Sequence, residues 1–237
     1  VTITGGTLTS IGTGHLHALS NSTLANLTVS SGTNLELANN QRLNLSGAIL
    51  NAGTIQLLSA GNLTDLVATG GVTLTGAGSI TLSNNGSNRI YGDTGTTTLV
   101  NQDNTISGAG QIGVNLLQLD NRGVIEASLS GGTLTIDPSG SGASNSGTMR
   151  ATNGGTLLLL GGTFDNTSGT IRALATSKVQ IDTTTLFNGT IDIAAGGTLE
   201  LDTSTVASGT VTNAGTGTIK TTGGASILGG TVTNALS

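Results

Sequence analysis

The chain has 237 residues, of which 39 are Gly, one is Pro and none is Cys; 8% are charged, 1% are aromatic, and the formal net charge is -5. Without Cys there is neither a disulfide framework nor a thiolate metal site, and seven Lys and Arg are too few for a nucleic-acid footprint. Gly without a three-residue period rules out collagen, a 35% apolar share at low charge argues against disorder, and the longest plain apolar run, Leu157 to Leu160, falls far short of the roughly 18 residues of a membrane span.

Short alternating segments begin at once. Val1-Thr2-Ile3-Thr4 reads as a first strand, and His15 and His17 flank Leu16, so both imidazoles face one side of a second. Such a pair can chelate a metal, but no third ligand is recognisable nearby. Two surface imidazoles are expected, with no metal and no cofactor. Leu27-Thr28-Val29, Leu35-Glu36-Leu37 and Leu43-Asn44-Leu45 then follow eight residues apart, with Ile49-Leu50-Asn51 and Ile55-Gln56-Leu57 behind them. Each triplet has the in-out-in alternation of a half-buried strand. Residues 72–118 fit this pattern poorly and are expected to form irregular coils with longer turns around Asn84 to Thr98. Arg89, Tyr91 and Asp93 mark the expected place of a lateral ligand surface.

From residue 119 a repeat is plain. Asn-bearing turns recur as Leu119-Asp120-Asn121, Ala143-Ser144-Asn145, Phe164-Asp165-Asn166, Leu186-Phe187-Asn188 and Val211-Thr212-Asn213. A first strand follows the turns, with middle residues Glu126, Arg150, Arg172 and Asp192 spaced 24, 22 and 20 apart; Ile219-Lys220-Thr221 is expected to be its fifth copy. A second strand, with middle residues Thr135, Leu158, Gln180 and Glu200, is spaced 23, 22 and 20 apart. Two columns that shorten together imply stacked coils. No helical period persists. The expected fold is all-β: a right-handed parallel β-helix forming one solenoid domain over residues 1–237, with three short strands and about 20–24 residues per coil, roughly eleven coils in all. The hand rests on the general rule for parallel crossovers.

In that frame Asn121, Asn145, Asn166 and Asn188 form a structural ladder of amides at one corner. Glu126, Arg150, Arg172 and Asp192 form an outward charge column, whose exposed pairs contribute only ~0.2–1 kcal/mol each. Asp137, Asp182 and Asp202 end second strands, and two carboxylates one coil apart approach the ~5 Å spacing of retaining glycosidases; short turns and scarce aromatics weigh against catalysis. The calcium-binding nonapeptide of β-rolls does not occur, and Asp93 and Asp103 are isolated. Thr-x-Thr pairs such as Thr210/Thr212 invite an ice-binding reading, but they are not expected to keep a constant column.

Residues 119–237, with Asn-x-Gly-x-Ile followed by Gly-Gly-Thr-Leu, resemble the β-helical stalks of bacterial surface proteins: filamentous-haemagglutinin-like exoproteins and autotransporter passengers. The resemblance implies a secreted, surface-exposed rod that spaces, adheres or assembles without catalysis. A carbohydrate-active β-helix enzyme or polysaccharide-binding module is the alternative, and an ice-binding solenoid a minor one. The expected partners are a host surface or polysaccharide. Bare rungs at both ends also lead us to expect end-to-end self-association or continuation in a longer repetitive chain. No nucleic acid and no membrane span are expected.

Overall fold

The computed structural model describes residues 1–19 and 21–235. These form 28 strands and no helix; no helix is therefore available to cross a membrane. The strands wind into a β-solenoid of about eleven turns, in which all the strand pairings run parallel from one lap to the next. Each lap visits three strand positions. In the repeat region they are exemplified by Gln118–Asn121, Val124–Ala127 and Thr133–Ile136, which pair respectively with Ala143–Asn145, Thr148–Ala151 and Thr156–Leu160 one lap later. We call the faces built from these positions the Asn face, the charge face and the third face.

The strands form because apolar and polar residues alternate, which places every second side chain in the lumen. Ile55, Ile80, Ile106, Ile125, Met149, Ile171, Ile191 and Val211 stack as one inward column, each in register with the next. None of them is more than 1% exposed. β-Branched side chains suit this pleated wall, and burying each contributes roughly 1.5–3 kcal/mol. The narrow lumen also takes one aromatic ring. Phe164 is buried, with the small Ala143 above it and Leu186 below.

Lap length varies more than the repeat spacing implies. Along the charge face His17 and Glu36 are in register 19 residues apart, whereas Thr81 and Ser107 are in register 26 apart. The difference is absorbed at corners. Leu82 pairs with Gly108 and Asn84 with Ala109, yet Arg89 pairs with Gln111, so several residues of one lap oppose almost none of the next.

Residues 72–118 hold long laps whose register slips between Leu82 and Arg89, but the extra residues are not loops: Thr64–Thr75, Ser79–Gly92, Thr98–Asn101 and Thr105–Gly113 are strands, two of them running 12 and 14 residues through a corner. The Gly and Asn residues that read as turns lie inside those strands. Gly108 is one such residue: its φ is +125°, and a Cβ there would collide with the Leu82 carbonyl oxygen.

The last copies of the repeat are also shifted by one element. Val211-Thr212-Asn213 belongs to the charge face, in register with Ile191-Asp192-Ile193. Ile219-Lys220-Thr221 belongs to the third face, beneath Leu199-Glu200-Leu201. The cause is a contracted corner. From Asn188-Gly189 onward two residues turn it, with Asn188 and Ser208 both in the left-handed region at φ 62° and 60°. Ser208 follows Ala207, which pairs with Phe187, so Ser rather than Asn occupies this corner in the following lap.

Candidate functional site

The Asn corner is built from buried amides. Asn101 donates from Nδ2 to Asn121 Oδ1 at 2.9 Å, Asn121 to Asn145 at 2.7 Å, and Asn145 to Asn166 at 2.7 Å. Asn166 closes the run on the Thr190 carbonyl at 3.2 Å. Above it, Asn51 donates to Asn104 Oδ1 at 2.8 Å, and Asn104 donates its backbone N–H to Asn101 Oδ1 at 3.1 Å. Three of the four expected ladder residues are therefore in it. Asn188 is not. Its left-handed backbone turns the amide outward to Asp165 Oδ1 at 3.2 Å and Thr167 Oγ1 at 3.0 Å. The sequence reading missed Asn101, Asn51 and Asn104, as well as a separate pair in which Asn213 donates to Asn234 at 2.9 Å.

The charge column stands in register as expected: Glu126 over Arg150, Arg150 over Arg172, Arg172 over Asp192. Arg150 reaches back to Glu126 at 2.7 Å and Arg172 forward to Asp192 at 2.8 Å, so each arginine turns to a carboxylate and away from the other. Thr152 also donates to Glu126 at 2.5 Å.

Arg89, Tyr91 and Asp93 do not make one surface. Arg89 forms two hydrogen bonds with Asp65, at 2.8 and 2.7 Å, and its guanidinium lies 5.0 Å from the centre of the Tyr91 ring. Tyr91 donates to the same Asp65 carboxylate at 3.1 Å. Its own hydrogen bonding to Asp65 raises the Arg89 pKa above its ordinary value, while burial, followed by Asp65, pushes the Tyr91 phenol up. Asp65, itself buried, is the residue the sequence reading overlooked. Its signal was a column in which Arg42, Asp65 and Arg89 follow one another in register. Asp93 instead accepts the Thr97 hydroxyl and the Gly70 N–H at a corner.

Asp182 and Asp202 are in register one lap apart, and each accepts from the following threonine, Thr183 at 2.7 Å and Thr203 at 3.0 Å. Leu160, not Asp137, stands in register above Asp182. Burial raises the Asp137 carboxyl pKa, whereas Asp165 is held low by hydrogen bonds from Thr167 and Asn188. Asp165 borders an open polar groove of about 410 Å³ with Asp120, Arg122, Ser144 and Thr167. An apolar recess of about 270 Å³ lies at the first rung between Val1, Ile3, Leu8, Leu16 and Leu24.

The Thr-x-Thr pairs form no extended two-rank array. Thr210/Thr212 and Thr231/Thr233 stack in register, but the lap above carries Asp192 where a second threonine is needed. A single rank does exist, and it went unseen. Thr148, Thr170, Thr190, Thr210 and Thr231 head successive strands of the charge face.

The two histidines acquire a neighbour. Glu36 lies in register beneath His17, and its carboxylate straddles both rings: His15 Nδ1 is 2.5 Å from Oε1 and His17 Nδ1 is 3.3 Å from Oε2. Among the described residues, no group of three or more His, Cys, Asp or Glu side chains is placed to hold a metal ion.

No protein-family model matches the chain, and no curated protein does.

Proposed function

We propose that this chain is a non-enzymatic, extracellular β-solenoid rod that works as a stalk, adhesin segment or fibre subunit, holding other surfaces apart or together at the cell exterior. One observation carries the reading: the polar side chains of the outer faces bond mainly to the laps above and below. Arg89, Arg150, Arg172 and Lys178 all pair with carboxylates on adjoining laps. Chemistry spent in this way stiffens a ladder and leaves few convergent groups for a substrate. The low charge and the stacked coils of the resembled surface stalks point the same way.

Protease shaving of intact source cells, followed by electron microscopy of the released material, tests the reading. Release from the cell surface as rods is the expected result. Retention inside the cell overturns it. So does turnover of any polysaccharide in a panel, if Asp182→Asn with Asp202→Asn abolishes it.

A further inference from the structure

We infer that Asn85 is a site of spontaneous modification, at which the Gly86 nitrogen closes onto the Asn85 side chain and water reopens the ring as aspartate or isoaspartate. The inference does not depend on the stalk reading. Asn-Gly is the pair in which this chemistry is least hindered, because Gly carries no Cβ beside the attacking nitrogen. The chain contains three such pairs, Asn85-Gly86, Asn153-Gly154 and Asn188-Gly189, and the fold treats them differently.

Two of the pairs are locked. Asn153 and Gly154 are both left-handed, at φ 53° and 79°, and so are Asn188 and Gly189, at 62° and 63°. Ring closure needs rotation about the Asn Cα–C bond, and bonds to the adjoining laps oppose it at both corners. Gly154 donates its N–H to Ser177 Oγ at 3.0 Å, so the nitrogen that would attack is engaged, and its carbonyl accepts from Gly131 at 3.1 Å. The Asn188 backbone N–H donates to Ala207 at 2.9 Å, and its side-chain amide donates to Asp165 and Thr167. Gly189 is packed so closely that a Cβ there would collide with the Asn166 carbonyl oxygen.

Asn85-Gly86 is the free pair. The lap pairing of its strand lapses after Asn84 and resumes at Asn88, so residues 85–87 have no register partner on either neighbouring lap. Neither residue is left-handed, and open space surrounds the place of a Gly86 Cβ. Asn85 Oδ1 accepts the Ser87 N–H at 2.9 Å. This Asx turn folds Asn85 Cγ back toward the Gly86 nitrogen between them and polarises the carbonyl to be attacked. Gln111 and Asn88 brace the bend through the Gly86 and Asn85 main-chain carbonyls, at 2.8 and 3.1 Å, and do not engage the reacting atoms. In the reaction the Gly86 nitrogen gives its proton to hydroxide and bonds to Asn85 Cγ. The Cγ–Nδ2 bond breaks, and ammonia leaves after taking a proton back from water. A second water opens the succinimide at either carbonyl. The net change is one water taken up for one ammonia lost, nothing is oxidised or reduced, and the bend gains one negative charge.

For the test, protein held in warm, mildly alkaline buffer is digested with trypsin and sequenced by electron-transfer mass spectrometry, which separates aspartate from isoaspartate. Cleavage after Arg89, Arg150, Arg172, Lys178 and Lys220 puts the three pairs on separate peptides. Folded protein should lose the Asn85 amide at least ~10-fold faster than those of Asn153 and Asn188, the ratio that about 1.4 kcal/mol of barrier gives. In urea-unfolded protein the three rates should converge. Gly86→Ala places a Cβ in open space at a position outside the left-handed region, so circular dichroism should not change while conversion of Asn85 slows at least ~10-fold. Equal rates at the three pairs in the folded protein overturn the proposal. So does an Asn85 lead that persists in urea, or a rate that Gly86→Ala leaves unchanged.

Discussion

At the level of single residues, the decisive group is Asn145. Replacing it with Ala removes the acceptor of Asn121 and the donor to Asn166 in a buried file. Buried amides stripped of partners cost about 1–3 kcal/mol each, so Asn145→Ala should lower urea-unfolding stability by ~2–4 kcal/mol. Asn188→Gly should stay within ~0.5 kcal/mol, because Asn188 is left-handed and outside the file. The sequence shows a recurring Asn, but it does not show which backbone carries it. A corner shortened by one or two residues rotates the amide outward, and no spacing rule records that rotation. Asp137 gives a second prediction at this scale. Burial raises its pKa in the folded state, so the folded chain binds the proton more tightly than the unfolded one does. Its contribution is therefore intact below the ordinary carboxylate range and is lost as pH rises through the folded value. Asp137→Asn should raise Tm at pH 7 and leave it unchanged near pH 3; an equal shift at both pH values would contradict this account.

At the level of the strand, the lumen's width is set by pairs of facing residues. Phe164 fits because Ala143 yields space on the lap above. Phe164→Ala should cost ~3–5 kcal/mol by leaving a cavity, and Phe164→Leu less than ~1.5 kcal/mol; equal losses in denaturant melts would contradict this packing. Here the sequence was largely legible. The in-out-in triplets gave the strands of both halves, and the columns through Glu126, Arg150, Arg172 and Asp192 gave their register. The hidden part lies where Gly and Asn normally signal a turn. In Ser79–Gly92 and Thr105–Gly113 they let a strand bend without ending: pairing to the neighbouring laps lapses or shifts register at the bend and resumes on its far side. Glu36 and Asp65 escaped notice for a related reason. Each is a lap away from its partners in sequence, and only register brings them together.

Across the molecule, about eleven turns at roughly 4.8 Å each give a rod ~50 Å long. Stability in such a stack is a sum of neighbour contacts, so it should decline toward the ends. Thr2–Thr4 and Thr231–Asn234 are exposed along their whole length, whereas the rungs from Ile55 to Val211 hold a closed column. Hydrogen exchange should therefore be slowest through those middle rungs and fastest at both termini; uniform protection would indicate all-or-none opening instead. Every lap keeps its three strand positions while its length ranges from the 19 residues between His17 and Glu36 to the 27 between Val72 and Leu99. The edges of the prism are thus open to insertion while its walls stay fixed. A peptide spliced into the Asn85–Ser87 bend would be displayed at a known height along a rigid ruler, and the ruler would keep its gradations.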